Sequence, residues 1–158
     1  MKKDFLGFTI IELLIVIAVM ATLITMSVAV FVNLNHNQAL ERTTAQVVAL
    51  MQATRSKAQT SKADAQYGVH LQTDRIIAFV GTTYETTAPD NIILSFDDVS
   101  LSATSSTVGG GQNIIFKKIS GATDNPGTFN LTLSSLPTIV KMVKIEATGL
   151  ISVQENVQ

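Results

Sequence analysis

A single carboxylate sits inside the most apolar stretch of this chain. Residues 8–32 read FTIIELLIVIAVMATLITMSVAVFV, and Glu12 is the only Asp, Glu, Lys or Arg between Asp4 and Glu41. The twenty residues 13–32 are uncharged and mostly apolar. In helical form they span about 30 Å, the thickness of one hydrocarbon core. No proline precedes Pro89, so nothing obliges this helix to break. Lys2 and Lys3 lie just upstream, which predicts a cytoplasmic N-terminus.

Three readings compete for such a segment. A secretory signal peptide fits the basic start, and Ser27-Val28-Ala29 has the small residues of a cleavage site. The apolar run, however, exceeds the usual h-region of about 7–15 residues. A plain membrane anchor fits the length but gives no reason to keep Glu12. A carboxylate in such a run costs about 2.5–3.5 kcal/mol at a helix centre and less near an end. The helix macrodipole offsets part of that cost; the rest calls for a cation. Cutting the chain between Gly7 and Phe8 creates one, the new α-amino group of Phe8. It lies one turn from Glu12 on its own helix, and a neighbouring chain shifted along a common axis brings its own amine into contact. A buried pair of this kind acts mainly as a register device.

The residues Gly7-Phe8-Thr9-Ile10-Ile11-Glu12-Leu13-Leu14-Ile15-Val16 resemble the processing site of the type IV prepilin family, which includes pilins, minor pilins and the pseudopilins of type II secretion. The resemblance covers residues 1–32. It implies that a membrane peptidase, which is also the N-methyltransferase, cuts after Gly7 and methylates Phe8, and that Thr9 and Glu12 take part in assembly. The precursor is then a single-pass inner-membrane protein with its C-terminal domain periplasmic or extracellular. Its implied partners are the lipid bilayer, the inner-membrane assembly platform and other pilin or pseudopilin subunits. One departure is Ala29, where many major pilins carry a helix-breaking proline.

Beyond Val32 the chain turns polar without a breaker. Leu40, Val47, Leu50 or Met51, Thr54 and Ala58 recur at near-helical spacing among good helix formers. The pattern predicts one helix from Phe8 to Ala63, apolar all round at first and striped on one side later. Glu41, Arg42, Arg55, Lys57 and Lys62 are expected on its solvated face. The expected organisation is a leader over 1–7, an assembly helix over 8–32, its amphipathic continuation over 33–65 and a β-rich domain over 66–158.

After Ala65 the period changes to two. Strands are expected at 67–71, 75–80, 92–96, 113–118, 128–133, 139–147 and 150–153. The intervening turns are Thr73-Asp74, Asp124-Asn125-Pro126-Gly127 and Thr148-Gly149. Residues 102–112 (SATSSTVGGGQ) read as loop. The fold class is therefore α+β, a long N-terminal helix packed on one antiparallel sheet. The strings YGVHL, RIIAFV, IIFKKISG, GTFNLTL and VKIEATGLISV resemble the soluble domain of the GspH/FimT group of minor pseudopilins and minor pilins. Ile114-Ile115-Phe116, Gly121, Ile145, Gly149 and Ile151 carry that match. The group implies a structural filament subunit with its helix across the sheet.

No catalytic constellation emerges. The chain has no Cys, which excludes thiolate metal sites and disulfides. Its two His, His36 and His70, have no ligand-like spacing. His70 alternates with Val69 and Leu71 and is expected to face solvent. Asp97-Asp98 suits a turn better than a calcium site. The Gly109–Gly111 run lacks the Gly-Lys-Ser/Thr of a phosphate loop, and no Ser sits in a nucleophile elbow. No cofactor is implied. Net charge is −1, so no bulk attraction to nucleic acid is expected. Lys117, Lys118, Lys141 and Lys144 form a candidate DNA patch if their two strands are neighbours, the alternative being a DNA-uptake minor pilin.

Overall fold

A computed structural model describes residues 8–60, 64–103, 112–135 and 137–156, without the side chains of residues 26–37, 103, 155 and 156. The chain divides after Asn37 into two units. One helix, α1, runs Ile10–Gln59. Eight strands follow: β1 (Tyr67–Leu71), β2 (Arg75–Val80), β3 (Ile92–Ser95), β4 (Val99–Ala103), β5 (Asn113–Phe116), β6 (Gly127–Leu133), β7 (Val140–Ile145) and β8 (Ile151–Asn156). The helix is shorter at both ends than the sequence predicts, and residues 61–63 lie outside the described set.

In the unit that starts at Gln38, α1 buries Leu40, Thr44, Val47, Met51, Thr54 and Ala58. The spacing alternates four and three residues and keeps one stripe on one side. Full burial of Leu40, Val47 and Met51 contributes about 1.5–3 kcal/mol each. Two threonines fit this apolar stripe because their hydroxyls are already satisfied. Thr44 Oγ1 donates to the Leu40 carbonyl and Thr54 Oγ1 to the Leu50 carbonyl, each at 2.7 Å.

The strands form two four-stranded sheets where the sequence led us to expect one. Sheet A has the order β3-β2-β1-β5 and sheet B the order β4-β6-β7-β8, with every pairing antiparallel. The cause lies in β4. Val99-Ser100-Leu101-Ser102 alternates large apolar and small polar residues; Val99 and Leu101 are buried, and the strand pairs with β6. Its serines disguise it as loop, so Ser102 and Ala103 belong to a strand after all. Ser100 Oγ lies 3.0 Å from Thr132 Oγ1 directly across the ladder, a cross-strand pair. The chain therefore crosses between sheets three times, after β3, β4 and β5.

One core cluster joins helix and both sheets. It contains Leu40, Val47, Met51 and Ala58 of α1 together with Val69, Ile114 and Phe116 of sheet A and Phe129, Leu131, Val143 and Ile145 of sheet B. Sheet A is also covered on its other face, by residues of the β2–β3 connection. The Tyr84 ring stacks on His70 at 4.0 Å and tilts against Phe79 at 5.7 Å. His70 is accordingly half-buried and not the solvent-facing residue expected. Its Nδ1 lies 2.6 Å from Asn113 Oδ1.

Candidate functional site

The N-terminal unit is described from Phe8 on; Gly7 and the leader lie outside the described residues. Thr9 is the last residue before α1 and acts as its N-cap. Its Oγ1 accepts from the Glu12 N–H at 3.4 Å, and its carbonyl accepts from the Leu13 N–H at 3.2 Å. The Thr9-x-x-Glu12 spacing is that of a capping box. It explains Thr9 and places Glu12 in the first turn, where the helix dipole favours a carboxylate. The same two residues therefore define the helix start. Phe8 precedes this cap, two residues before the helix, and is exposed. So are Ile10, Ile11, Leu13, Leu14, Ile15, Ile17 and the further large apolar side chains through Ile24. Among the described residues, no helix is long and apolar enough to cross a membrane.

The second unit is locked where α1 ends. Arg55, expected on a solvated face, is half-buried and bridges two turns. Its Nε donates to the Gly121 carbonyl at 3.2 Å and its Nη2 to the Thr148 carbonyl at 3.1 Å. Gln59 Nε2 donates to the Ser120 carbonyl at 3.3 Å. The Ile119 N–H donates to the Ala58 carbonyl at 3.0 Å and closes one of the helix's last carbonyls. That bond holds Ile119 at φ 66°, an uncommon conformation for a β-branched residue. Gly121 (φ 64°) and Gly149 (φ 77°) stand in contact within this clamp. A Cβ on Gly149 would lie 1.9 Å from the Gly121 oxygen. The two glycines singled out by resemblance are thus required by one backbone crossing.

The four candidate DNA-binding lysines do not form one strand pair. Lys117 and Lys118 follow β5 in sheet A, whereas Lys141 and Lys144 are in β7 of sheet B. Each has a carboxylate partner. Lys117 pairs with Asp124 at 2.6 Å, Lys118 with Asp64 at 2.5 Å and Lys144 with Glu146 at 3.4 Å. Lys141 reaches across to Glu41 on α1 at 2.7 Å, its own side chain only 11% exposed. Glu41 therefore ties the helix to sheet B and is not simply solvated. The hydrogen bond and charge of Lys118 hold the Asp64 carboxyl below its ordinary value, and Arg75 does the same for Asp74. Asp97 and Asp98 are exposed, and no group of His, Asp or Glu among the described residues could hold a metal ion.

Two turns set this apart from a generic helix-on-sheet domain: an apolar, capped helix start with one acid, and a glycine-and-arginine clamp at its far end. A family model described as the prokaryotic N-terminal methylation motif matches residues 2–28. No curated protein sequence matches the chain. Among solved structures, it is similar to the type IV minor pilin FimU of Pseudomonas aeruginosa in two crystal forms. One aligns at 14% identity over 75% of this chain and 91% of that one, with a TM-score of 0.55. The other aligns at 15% identity over 76% and 88%, with a TM-score of 0.56. Identity this low speaks to the fold, and the motif speaks to the N-terminus. The chain thus carries the N-terminal methylation motif over residues 2–28 and shares the fold of a type IV minor pilin.

Proposed function

We propose that the chain is a minor subunit of a type IV pilus-like filament, whether a pilus or a type II secretion pseudopilus. It is made with a leader, cut between Gly7 and Phe8 by prepilin peptidase and N-methylated on Phe8. The observation that carries this reading is the row of exposed apolar side chains from Phe8 to Ile24, in which Glu12 is the one charged residue. Such a surface needs a cover. In the precursor the lipid bilayer supplies it, with the N-terminus cytoplasmic and the β-rich domain on the other side. In the filament the cover is the same segment of neighbouring subunits, with Glu12 meeting a partner's Phe8 amine and setting register. The likeness to FimU supports the minor-subunit reading, and the GspH/FimT resemblance is compatible with it. A DNA-uptake role draws no support from the four lysines, since each is already ion-paired.

Intact mass of the protein recovered from filaments tests the processing step. The expected product begins at N-methylated Phe8; a chain beginning near Ala29, or one that keeps its leader, refutes it. Two substitutions test Glu12. Glu12→Gln keeps a side chain suited to the third helical position of a capping box but removes the charge. Helix content should be unchanged, while incorporation into filaments falls as far as it does for Glu12→Ala. Normal incorporation of either variant would falsify the register role.

A further inference from the structure

We propose that β3 is a docking edge for an extended segment of another protein, one that carries basic residues on either side of a short apolar stretch. β3 is an end strand of sheet A. Its sequence, Ile-Ile-Leu-Ser, contains no charge and no proline, so it lacks the usual devices that blunt an edge. Ile92 and Ile93 point to opposite faces of the strand and are 45% and 56% exposed.

The register says which backbone groups are free. The Phe96 N–H donates to the Asp74 carbonyl at 2.8 Å. Bonded pairs in an antiparallel ladder recur every second residue. With Ile76 opposite Leu94 and Ala78 opposite Ile92, Leu94 and Ile92 are the residues that bond to β2. The β1 side agrees. The Gln72 N–H donates to the Arg75 carbonyl at 2.9 Å, which places Ile77 among the residues bonded to β1 and leaves Ile76 and Ala78 for β3. Ile93 and Ser95 therefore turn their N–H and C=O groups outward. An incoming strand can bond to both residues without disturbing sheet A.

Charge selects the occupant. Asp90 precedes β3, and Asp97 and Asp98 follow it; all three are exposed. No cation lies within ion-pair distance of any of them among the described residues. The nearby Arg75 is already bound to Asp74. The edge thus offers an apolar centre between acidic ends. A second copy of this chain fits badly. Two β3 strands paired about a two-fold axis would bring Asp90 against Asp97 and Asp98 of the other copy. Among the chain's other end strands, β8 (ISVQEN) contributes an acid and no cation, and β4 (VSLSA) no charge. β5 is closed at Phe116 by its bridge to Thr123. A basic-flanked strand from a different chain satisfies both the hydrogen bonds and the charge.

The test is fluorescence anisotropy of a labelled peptide of alternating Thr and Val, ended by Lys at both sides, titrated with the full chain in detergent micelles. Saturable binding is expected, weaker by about tenfold or more when the end residues are Glu. Ile93→Pro removes one outward donor and none of the bonds to β2, and should abolish binding with the circular dichroism spectrum unchanged. If that variant fails to fold, Ile93→Lys and Asp90→Lys, both at exposed positions, take its place. The first should abolish binding and the second should shift preference toward the Glu-ended peptide. The inference is overturned if the Lys-ended peptide does not bind, or if it binds these variants as it binds the parent. Self-association by sedimentation that Ile93→Lys abolishes would also overturn it, by making a second copy the occupant.

Discussion

Replacing Gly149 by Ala adds one methyl group where two backbone turns meet, at Gly149 and Gly121. The turn there is tight: the Gly149 N–H donates to the Glu146 carbonyl at 2.7 Å, and φ is 77°. Holding an L-residue in that left-handed region costs about 1–2 kcal/mol. The new Cβ would also sit 1.9 Å from the Gly121 oxygen, 2.9 Å from Arg55 Nε and 3.0 Å from the Gly121 carbonyl carbon. Backbone cannot swing aside as a side chain does, so the 117–121 loop must move. The Gly121 carbonyl is the acceptor for Arg55 Nε at 3.2 Å. Losing a hydrogen bond from a charged donor costs about 1.5–3 kcal/mol. The combined penalty is about 3–5 kcal/mol, among the larger single-residue effects.

Thermal unfolding in detergent, followed by near-ultraviolet circular dichroism, measures it. At about 2–4 °C per kcal/mol for a chain of this size, the midpoint should fall by about 10 °C. Gly81→Ala is the matched control. Its φ is 111°, so it too is strained, but its Cβ would meet nothing within 4 Å. It should lose only the conformational share, about 1–3 kcal/mol, with no added clash. Equal losses for the two variants would refute the argument, because they would show that the Gly121 contact carries no weight.

Four further expectations follow from the same contacts. Arg55→Lys replaces a two-pronged donor by a single ammonium and should cost about 2 kcal/mol in a denaturant titration. Met51→Ala should cost about 2–5 kcal/mol, whereas Thr54→Val, which removes a hydroxyl bonded only within its own helix, should change stability by less than about 1 kcal/mol; a large loss for Thr54→Val would mean that its hydroxyl has a second role. Gly68→Ala forces aside the Phe79 ring, whose Cζ would lie 2.4 Å from the new Cβ; a loss of about 1–3 kcal/mol should be relieved by adding Phe79→Leu. Asp64 and Asp74 both have folded pKa values below the ordinary 3.8; the stability they contribute is therefore present above pH 3.8 and is lost as pH falls through the lowered values. Asp64→Asn with Asp74→Asn should remove that acid limb and, at neutral pH, the equal stability it represents, a small amount because both groups are exposed.

Much of the fold could be read ahead of the structure because the signals were local. A stripe at alternating spacings of three and four marks α1. The Tyr67–Leu71 and Arg75–Val80 runs are short, largely apolar and separated by a turn, and both are strands at the expected bounds. The errors came where burial is decided at long range. Val99–Ala103 has only two large apolar residues, and its strand character comes from β6, some thirty positions later. His70 alternates correctly with Val69 and Leu71, but the face it points to is covered by Tyr84 from the following loop. Nothing in the local pattern announces that cover. The single-sheet expectation failed for the same reason, since antiparallel strands of similar composition do not say which neighbours they choose.

Charged residues show the same division between local and distant causes. Thr9 and Glu12 are three apart, so their shared helix cap has a local cause that the sequence carries. The cap and a partner chain are not rivals. A backbone N–H of Glu12 serves the cap, and the exposed carboxylate remains available for an amine. Arg55 and two of the four lysines are different. Lys117 and Lys144 pair with nearby acids, Asp124 and Glu146, but the partners of Arg55 lie 66 and 93 residues away, that of Lys118 54 and that of Lys141 100, and a count of cations along strands cannot foresee these. Lys141 makes the point physically. A nearly buried ammonium is tolerable only beside a carboxylate, and the helix brings Glu41 to it. The residue that looked like part of an outward basic patch instead adds an ion pair between α1 and sheet B beside their shared core.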